Sequence, residues 1–503
     1  FCDTDEFSPV KTSKDGIFVC GAFQGPKDIP GSVIQASGAA GEVSSLLSAS
    51  RDTLVEKKEY PPEIDVAGQE PRIGVFVCRC GINISAYVDV PSVAEYAKGL
   101  PNVVYVEDNL FTCSQDTQQK IKEQIKEQKL NRVIVASCTP RTHESLFRET
   151  VREAGLNPYL FEMANIRDQC SWIHMQDPQG ATKKAKDLVR MPVAKASLIE
   201  PLPKIQSEVV PRGLVIGGGL AGMVAALGIA EQGFEVYLIE KERELGGNLR
   251  DLYYTLAGKD AQDLLKKLIA RVEKEDLIHV YTEAEIKSVE GSVGKFKTTI
   301  GSGEVEMELE HGIVIVATGA QEYRSDEYLY GTDERVITQR ELEDRIANHP
   351  GKVKNYERIV MIQCVGSRDE ERPYCSRVCC SEAIKNALKV KGINEKSEVY
   401  VLYRDIRTYG FKEEYYNKAG DAGVLFIRYD EDKKPVVSNE GGKLTVSVLD
   451  PTLNETIQIE PDVLVLSVAT VPANDNEKLS ELLKVSLNED NFFLEAHVKL
   501  RPV

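Results

Sequence analysis

The chain has 503 residues, 42% of them apolar and 28% charged, which supplies several cores and excludes a disordered or fibrous protein. At about 150 residues per domain, the length predicts roughly three domains. Basic side chains number 62 and acidic ones 79, a net charge of −17, so the surface repels phosphate backbones and anionic headgroups and excludes nucleic acid as the expected partner.

Residues 1–58 read as a strand (DGIFVCGA), a Gly/Pro-rich loop (FQGPKDIPGS) and a small-residue helix (VIQASGAAGEVSSLLSAS), the close of a domain. Residues 59–70, EYPPEIDVAGQE, read as a linker. Over 71–200, strand-like RIGVFVC, NVVYVED and NRVIVASC alternate with helix-like PSVAEYAKGL, SQDTQQKIKEQIKEQKL and HESLFRETVREAG, which predicts a compact α/β domain.

Residues 213–230, GLVIGGGLAGMVAALGIA, match the length of a membrane helix, but six of the 18 are Gly, clustered at a turn. They read instead as a buried strand, a turn and a helix, so no transmembrane segment is expected. Further strands are predicted at 235–240, 312–317, 358–363, 398–403, 424–428 and 462–468. These make two successive nucleotide-fold units, over 201–335 and 336–475, with 476–503 returning to the first and stopping short. The chain as a whole is therefore α/β. Its ends, FCDTDEFSPV and FFLEAHVKLRPV, read as a weak internal repeat.

Gly217-Gly218-Gly219-Leu220-Ala221-Gly222 satisfies G-x-G-x-x-G, and the next strand ends in Glu240. Gly217 allows the tight turn, Gly219 lets the backbone approach a pyrophosphate and Gly222 lets the helix pack closely, while Glu240 accepts from ribose hydroxyls. Gly246 and Gly247 just after the acidic strand end, and Thr318-Gly319 where the chain returns, favour FAD over NAD. Lys241, Asn248 and Leu249 join the expected cofactor contacts. The second unit opens on Cys364-Val365-Gly366-Ser367 and offers no Gly triplet for a nicotinamide nucleotide.

Eleven cysteines are too sparse for a disulfide scaffold, and no charged start followed by an apolar segment directs the chain to an oxidising compartment, so a cytoplasmic location is expected. Cys364, Cys375, Cys379 and Cys380 lie within 17 residues, at a strand end and helix start. Four thiolates there suit a 4Fe-4S cluster, and zinc accepts the same set. Arg368, Arg372 and Arg377 would offset the charge. Cys80, with Cys78 two before it, Cys113 and Cys138 each follow a strand-like run, so one sheet edge could collect them. Cys170, in Asp-Gln-Cys-Ser-Trp, is a fifth candidate, and plain core cysteines are the alternative.

These residues resemble the A-type subunit of heterodisulfide reductase: GVFVCRCGINI, ASCTPRTHE, NPYLFEMANIRDQCSW, the glycine fingerprint, GGNLR, and CVGSRD with YCSRVCC. The resemblance implies FAD in a thioredoxin-reductase-like two-dinucleotide fold, preceded by an α/β iron-sulfur domain, with clusters wiring the flavin to partner subunits. It implies one 4Fe-4S cluster on Cys364, Cys375, Cys379 and Cys380, and another on Cys78, Cys80, Cys113 and Cys138, with Cys170 as substitute for Cys78. Lys27 is implied to approach the flavin. Residues 1–50 resemble the family's closing flavin segment, so the chain reads as a piece of a tandem protein.

The expected function is electron transfer between FAD and iron-sulfur clusters in an oligomeric complex. Other subunits, ferredoxin, or a hydrogenase or dehydrogenase donor are the expected partners, with splitting of electron pairs in some family members. The rivals are a stand-alone NAD(P)H-dependent flavin reductase of disulfides or quinones and a zinc-stapled FAD-binding scaffold.

Overall fold

A computed structural model of the protein describes residues 6–303 and 305–496. The chain divides into two compact units, one formed by residues 54–206 and the other by 1–53 together with 207–503.

The 54–206 unit is built on four parallel strands, β1 (Ile73–Cys78), β2 (Val103–Asn109), β3 (Arg132–Ser137) and β4 (Phe161–Asn165), in the order β2-β1-β3-β4. Every residue of β1 and β3 is buried, as expected of parallel strands covered on both faces. One covering layer packs Val93, Ala97, Ala185 and Val189 on the sheet and the other packs Ile121, Ile125, Phe147 and Val151. The sequence reading finds β1 to β3; β4 escapes it because FEMAN lacks a β-branched run.

In the second unit, β5 (Arg212–Ile216), β6 (Glu235–Ile239) and β7 (Ile278–Tyr281) form a parallel sheet that a later strand completes. The apolar 213–230 run is thus a strand, a turn at Gly217–Gly219 and a helix of 11 residues, Leu220–Ala230. Among the described residues no helix is long and apolar enough to cross a membrane. Next come three antiparallel strands, β8 (Glu285–Ser292), β9 (Lys295–Ser302) and β10 (Val305–His311). The chain then returns as β11 (Ile313–Val316), giving the order β11-β5-β6-β7.

The connector β12 (Ala320–Glu322) leads to β13 (Val336–Thr338), β14 (Arg358–Val365), β15 (Glu398–Tyr403) and β16 (Val424–Arg428). After a second antiparallel meander, β17 (Val436–Glu440), β18 (Lys443–Asp450) and β19 (Glu455–Ile459), the chain re-enters the sheet as β20 (Val463–Val468), in the order β13-β20-β14-β15-β16. It leaves through β21 (Thr470–Pro472), antiparallel to β12. The strands expected from 213 to 468 all form within two residues of their predicted bounds. Both meanders are unforeseen, although their alternation around Gly turns, as in SVGK and EGGK, carries the period-two signal.

The strand expected in DGIFVCGA does not form. Gly16 and Gly21 take positive φ, +77° and +71°, and break the extended run, leaving an isolated bridge between Lys11 and Phe18. The helix after it opens at Ile29 rather than 33, because Asp28 caps it by accepting from the Gly31 amide (2.8 Å) and Pro30 sits in its first turn. The proposed end repeat spans residues 1–10 and 492–503, of which 1–5 and 497–503 lie outside the described residues.

Candidate functional site

The cleft at the carboxyl edge of β5 and β6 is shaped by glycines. Gly217 has φ +107°, and a Cβ there would lie 2.3 Å from the Ala317 carbonyl. A Cβ on Gly222 would lie 1.8 Å from the Gly217 carbonyl, so the helix can sit this close only on glycine. Gly219 differs: nothing stands within 4 Å of its Cβ position, which leaves its backbone open to the cleft. Gly246 donates to the Gly218 carbonyl (2.9 Å) and bridges Gly219, fixing the second glycine loop beside the first.

Glu240, 7% exposed, accepts from the amides of Gly218 (2.7 Å) and Glu242 (2.8 Å). Its carboxylate therefore pins the fingerprint loop. The cleft encloses about 480 Å³, and nine of the eleven expected cofactor residues line it, namely Gly217, Gly219, Glu240, Lys241, Gly247, Asn248, Leu249, Thr318 and Gly319. Gly222 and Gly246 support it from behind. Asp475 and Asn476 belong here too and were missed: Asp475 pairs with Lys241 (3.1 Å) and Thr318 donates to Asn476 (3.3 Å). They arrive from beyond β21, 234 residues along the chain from Lys241 in the case of Asp475, so no local pattern announces them. Lys27 lies in the turn before Ile29, not among the residues lining this cleft; neighbouring Gly25 and Pro26 meet Phe411 and Gly410.

The first thiol site lies at the carboxyl end of β14. Cys364, Arg368 and Arg377 all hold positive φ (62°, 61° and 66°), strain that a side-chain-bearing residue tolerates only where its surroundings impose it. Cys379 and Cys380 open the helix Cys379–Ile393 and are 5% and 4% exposed. The Arg377 amide donates to the Cys375 Sγ (3.4 Å), and the Cys380 thiol donates to the Asp405 carbonyl (3.7 Å). Cys380 is pulled below the usual thiol range by the hydrogen bond from Cys379, helped by Arg407 and Arg368, while that same bond and burial push Cys379 up. Burial also raises Cys364, against the pull of Arg368 and Arg404.

The second thiol site is the carboxyl edge of the β2-β1-β3-β4 sheet. Cys78 ends β1, Cys138 follows β3, Cys80 holds φ +46° just past β1, and Cys113 sits in the loop after β2. The Thr112 amide donates to the Cys78 Sγ (3.4 Å), and the Arg167 Nη1 approaches the Cys80 Sγ at 3.7 Å. Burial raises Cys78 and Cys138. Cys170 is fully buried: its thiol donates to the Ala181 carbonyl (3.1 Å), and it shares its apolar core with Ala181, Ala185 and Cys78. Cys20 is exposed, and Cys2 lies outside the described residues. Among the described residues, no three His, Cys, Asp or Glu side chains converge in metal-ligating geometry.

Whether the sites suit their expected groups can be read from buried polar atoms without partners, which native proteins rarely leave. Of seven such atoms among the described residues, four belong to Asn109, Thr112, Arg167 and Asp168 at the second thiol site. Another is on Gln363, next to Cys364 in the chain, and one is the Asp475 Oδ1 in the glycine-lined cleft; Arg148 alone lies elsewhere. The unsatisfied Asp475 Oδ1 beside an open glycine backbone fits a bound dinucleotide, and four cysteine thiols at each sheet edge, with Thr112 and Arg167 holding free donors at the second, have the donor chemistry of a thiolate-held metal group.

A glycine-lined dinucleotide cleft on parallel sheets, joined to a second nucleotide fold, defines an oxidoreductase of the flavoprotein type, and residues 211–362 match the family described as "Pyridine nucleotide-disulphide oxidoreductase". More closely, the chain belongs to the family of heterodisulfide reductase A-type subunits. It is 40% identical to the second A-type form of the "CoB--CoM heterodisulfide reductase iron-sulfur subunit" of Methanopyrus kandleri, over 87% of this chain and 81% of that one. It is 39% identical to the A-type subunit of the "H(2):CoB-CoM heterodisulfide,ferredoxin reductase" of Methanothermobacter thermautotrophicus, over 89% and 81%. These alignments run to 531 and 541 positions, longer than this chain, so the relatives carry internal sequence that it lacks. Among solved structures, thioredoxin reductases of T. acidophilum and Lactococcus lactis are each 17% identical over 58% of this chain, covering 88% and 87% of theirs, with TM-scores of 0.39 and 0.41.

Proposed function

We propose that this protein is an FAD- and 4Fe-4S-dependent electron-transfer component of a heterodisulfide-reductase-type complex. The observation that carries the reading is the presence in one chain of a glycine-lined dinucleotide cleft and two thiol-bearing sheet edges. FAD would exchange electrons in pairs and cysteine-held clusters would pass them singly.

The chain's own residues define what each site does. Gly219 would admit a pyrophosphate, the buried Asp475 Oδ1 is free to accept from the cofactor, and Glu240 holds the fingerprint loop to the strand end. Cys364, Cys375, Cys379 and Cys380 would hold one cluster and Cys78, Cys80, Cys113 and Cys138 the other. Lys27 is proposed as a cation for reduced flavin, carried by a turn of the same compact unit as the cleft. The relatives' names support other subunits and ferredoxin as partners and, with them, division of electron pairs between two acceptors.

The rival, a stand-alone NAD(P)H-dependent reductase, meets an obstacle at the second nucleotide fold. The Tyr323 ring lies 2.4 Å from where a Cβ on Gly366 would stand, and Arg372 stacks on that ring at 4.2 Å. The backbone a pyrophosphate would approach is covered, and thiols occupy the strand end.

Iron, sulfide and flavin analysis of anaerobically prepared protein tests the reading: one FAD and about eight irons per chain are expected for two 4Fe-4S groups. Iron-free protein with bound zinc overturns it. Rapid flavin reduction by NADPH or NADH alone would favour the rival instead.

A further inference from the structure

The two thiol sites are alike in the number of their cysteines and in burial, and they differ in fixed charge. Each offers four cysteines at the carboxyl edge of a parallel sheet, and burial is matched, with Cys379 and Cys380 at 5% and 4% exposure against 3% and 5% for Cys78 and Cys138. Desolvation therefore does not separate them. Fixed charge does.

At the first site three guanidinium groups face the thiols. The Arg368 Nη1 lies 4.0 Å from the Cys364 Sγ, and Arg404 acts on Cys364 while donating to the Arg368 carbonyl (2.7 Å). Arg407 acts on Cys375 and Cys380 and pairs with Asp405, whose carbonyl accepts from Cys380 (3.7 Å). Two carboxylates answer them. Asp405 pairs with Arg368 (2.6 Å) and Arg407 (3.5 Å), and Glu431 pairs with Arg404. Arg372, in the same loop, is paired with Glu371 (3.1 Å), while Arg377 brings its amide to the Cys375 Sγ (3.4 Å). Among the three guanidiniums and two carboxylates the balance is one positive charge, before Arg377 is added.

At the second site Arg167 faces Cys80 and Cys138, and Asp168 lies 3.9 Å from its guanidinium, so the balance is neutral. Lys184 acts on Cys170, the cysteine that stands in the core. Coulomb attraction between charges about 4 Å apart is several-fold stronger in a partly buried site than in water, so one uncompensated cation matters there.

We infer that Arg368, Arg404 and Arg407 are positioning residues that make the thiol site at β14 the stronger electron acceptor of the two, while Arg167 supports the site at β1 and β3 more weakly. An added electron raises the negative charge of a thiolate-held group without breaking a bond, and a nearby fixed cation stabilises that reduced form. A cluster held at the β14 site would therefore be the first of the two to take up an electron. The inference rests on the reading that both sites hold iron-sulfur groups.

The test is a redox titration of the anaerobic full-length protein, followed by electron paramagnetic resonance, on wild type, Arg407→Gln and Arg167→Gln. Two reduction waves are expected. Arg407→Gln should shift the higher-potential wave downward and leave the other in place, Arg167→Gln should shift only the lower one, and Arg407→Lys, which keeps the charge, should restore the midpoint. If Arg407→Gln loses iron, Arg404→Gln supplies the same reading. The inference is overturned if Arg167→Gln moves the higher-potential wave, or if neither Arg407→Gln nor Arg404→Gln moves either wave. Iron and sulfide content on the same samples separates the two failures: iron-free protein removes the proposed function, whereas loaded protein with the opposite order removes only the potential assignment.

Discussion

The two thiol-bearing edges reach the same arrangement by opposite routes. At β14 the four cysteines fall within one strand end and the helix start that follows, so local sequence places them together. In the 54–206 unit the cysteines span 78 to 138, and only the parallel order β2-β1-β3-β4 brings the ends of β1 and β3 side by side, with Val77 opposite Ala136. One site is made by a segment and the other by a topology. The segmental site carries Arg368 of its own and takes Arg404 and Arg407 from the loop after β15, whereas the topological one takes Arg167 from beyond β4 and leaves more polar atoms unsatisfied.

The largest expected effect tests what pins the segmental site. The helix that opens on Cys379 and Cys380 is held by Lys385, which pairs with the fully buried Glu343 (2.5 Å) and donates to the Tyr254 carbonyl (3.1 Å). Lys385→Met should cost about 3–5 kcal/mol in chemical denaturation by leaving Glu343 buried and unpaired, and adding Glu343→Gln should recover part of that loss.

Next in size is the connector between the two nucleotide folds. Burial pushes the Glu322 carboxyl up to about 7, opposed by Arg340 at 3.3 Å. Because the folded pKa lies above the unfolded one, the stabilisation is present below about pH 4.5 and is lost as pH rises through 7. A fall on the order of 2–3 kcal/mol across that window is expected in wild type but not in Glu322→Gln.

Gly222→Ala should cost about 1–3 kcal/mol, since its Cβ would meet the Gly217 carbonyl, and should reduce bound flavin in the purified protein. The smallest effect separates the cysteines of the topological site. Cys170→Ala should cost about 1 kcal/mol and leave iron content unchanged, because Cys170 behaves as a small core residue, whereas Cys138→Ala should remove the iron of that site. Equal iron loss from both variants would erase the distinction between core and edge.

The legibility of the fold follows the same division. The parallel strands from 213 to 468 could be read directly, because strands buried on both faces are continuous apolar runs, as in GLVI and DVLVLSV. The glycine fingerprint and the Cys364 to Cys380 group were equally plain, since each is local in sequence. Asp475 and Arg407 were not, because what brings them to their sites is the return of the chain through β21 and the loop after β15. The role of Glu240 was also only partly legible: its position at the strand end was, but its two hydrogen bonds to backbone amides depend on how the fingerprint loop folds back. The absence of β structure at DGIFVCGA shows a turn-forming Gly on each side outweighing a short apolar run.

The empty space around Gly219 has a consequence for how such a sequence is maintained. A methyl group there would touch nothing in the polypeptide, and at φ −74° the backbone would accept it, so an alanine at 219 should fold normally and exclude the cofactor. Purifying such a variant would yield intact protein without flavin colour. At this position chain stability exerts no pressure for glycine, and only the loaded state can keep it there, in contrast to Gly222, which folding alone preserves.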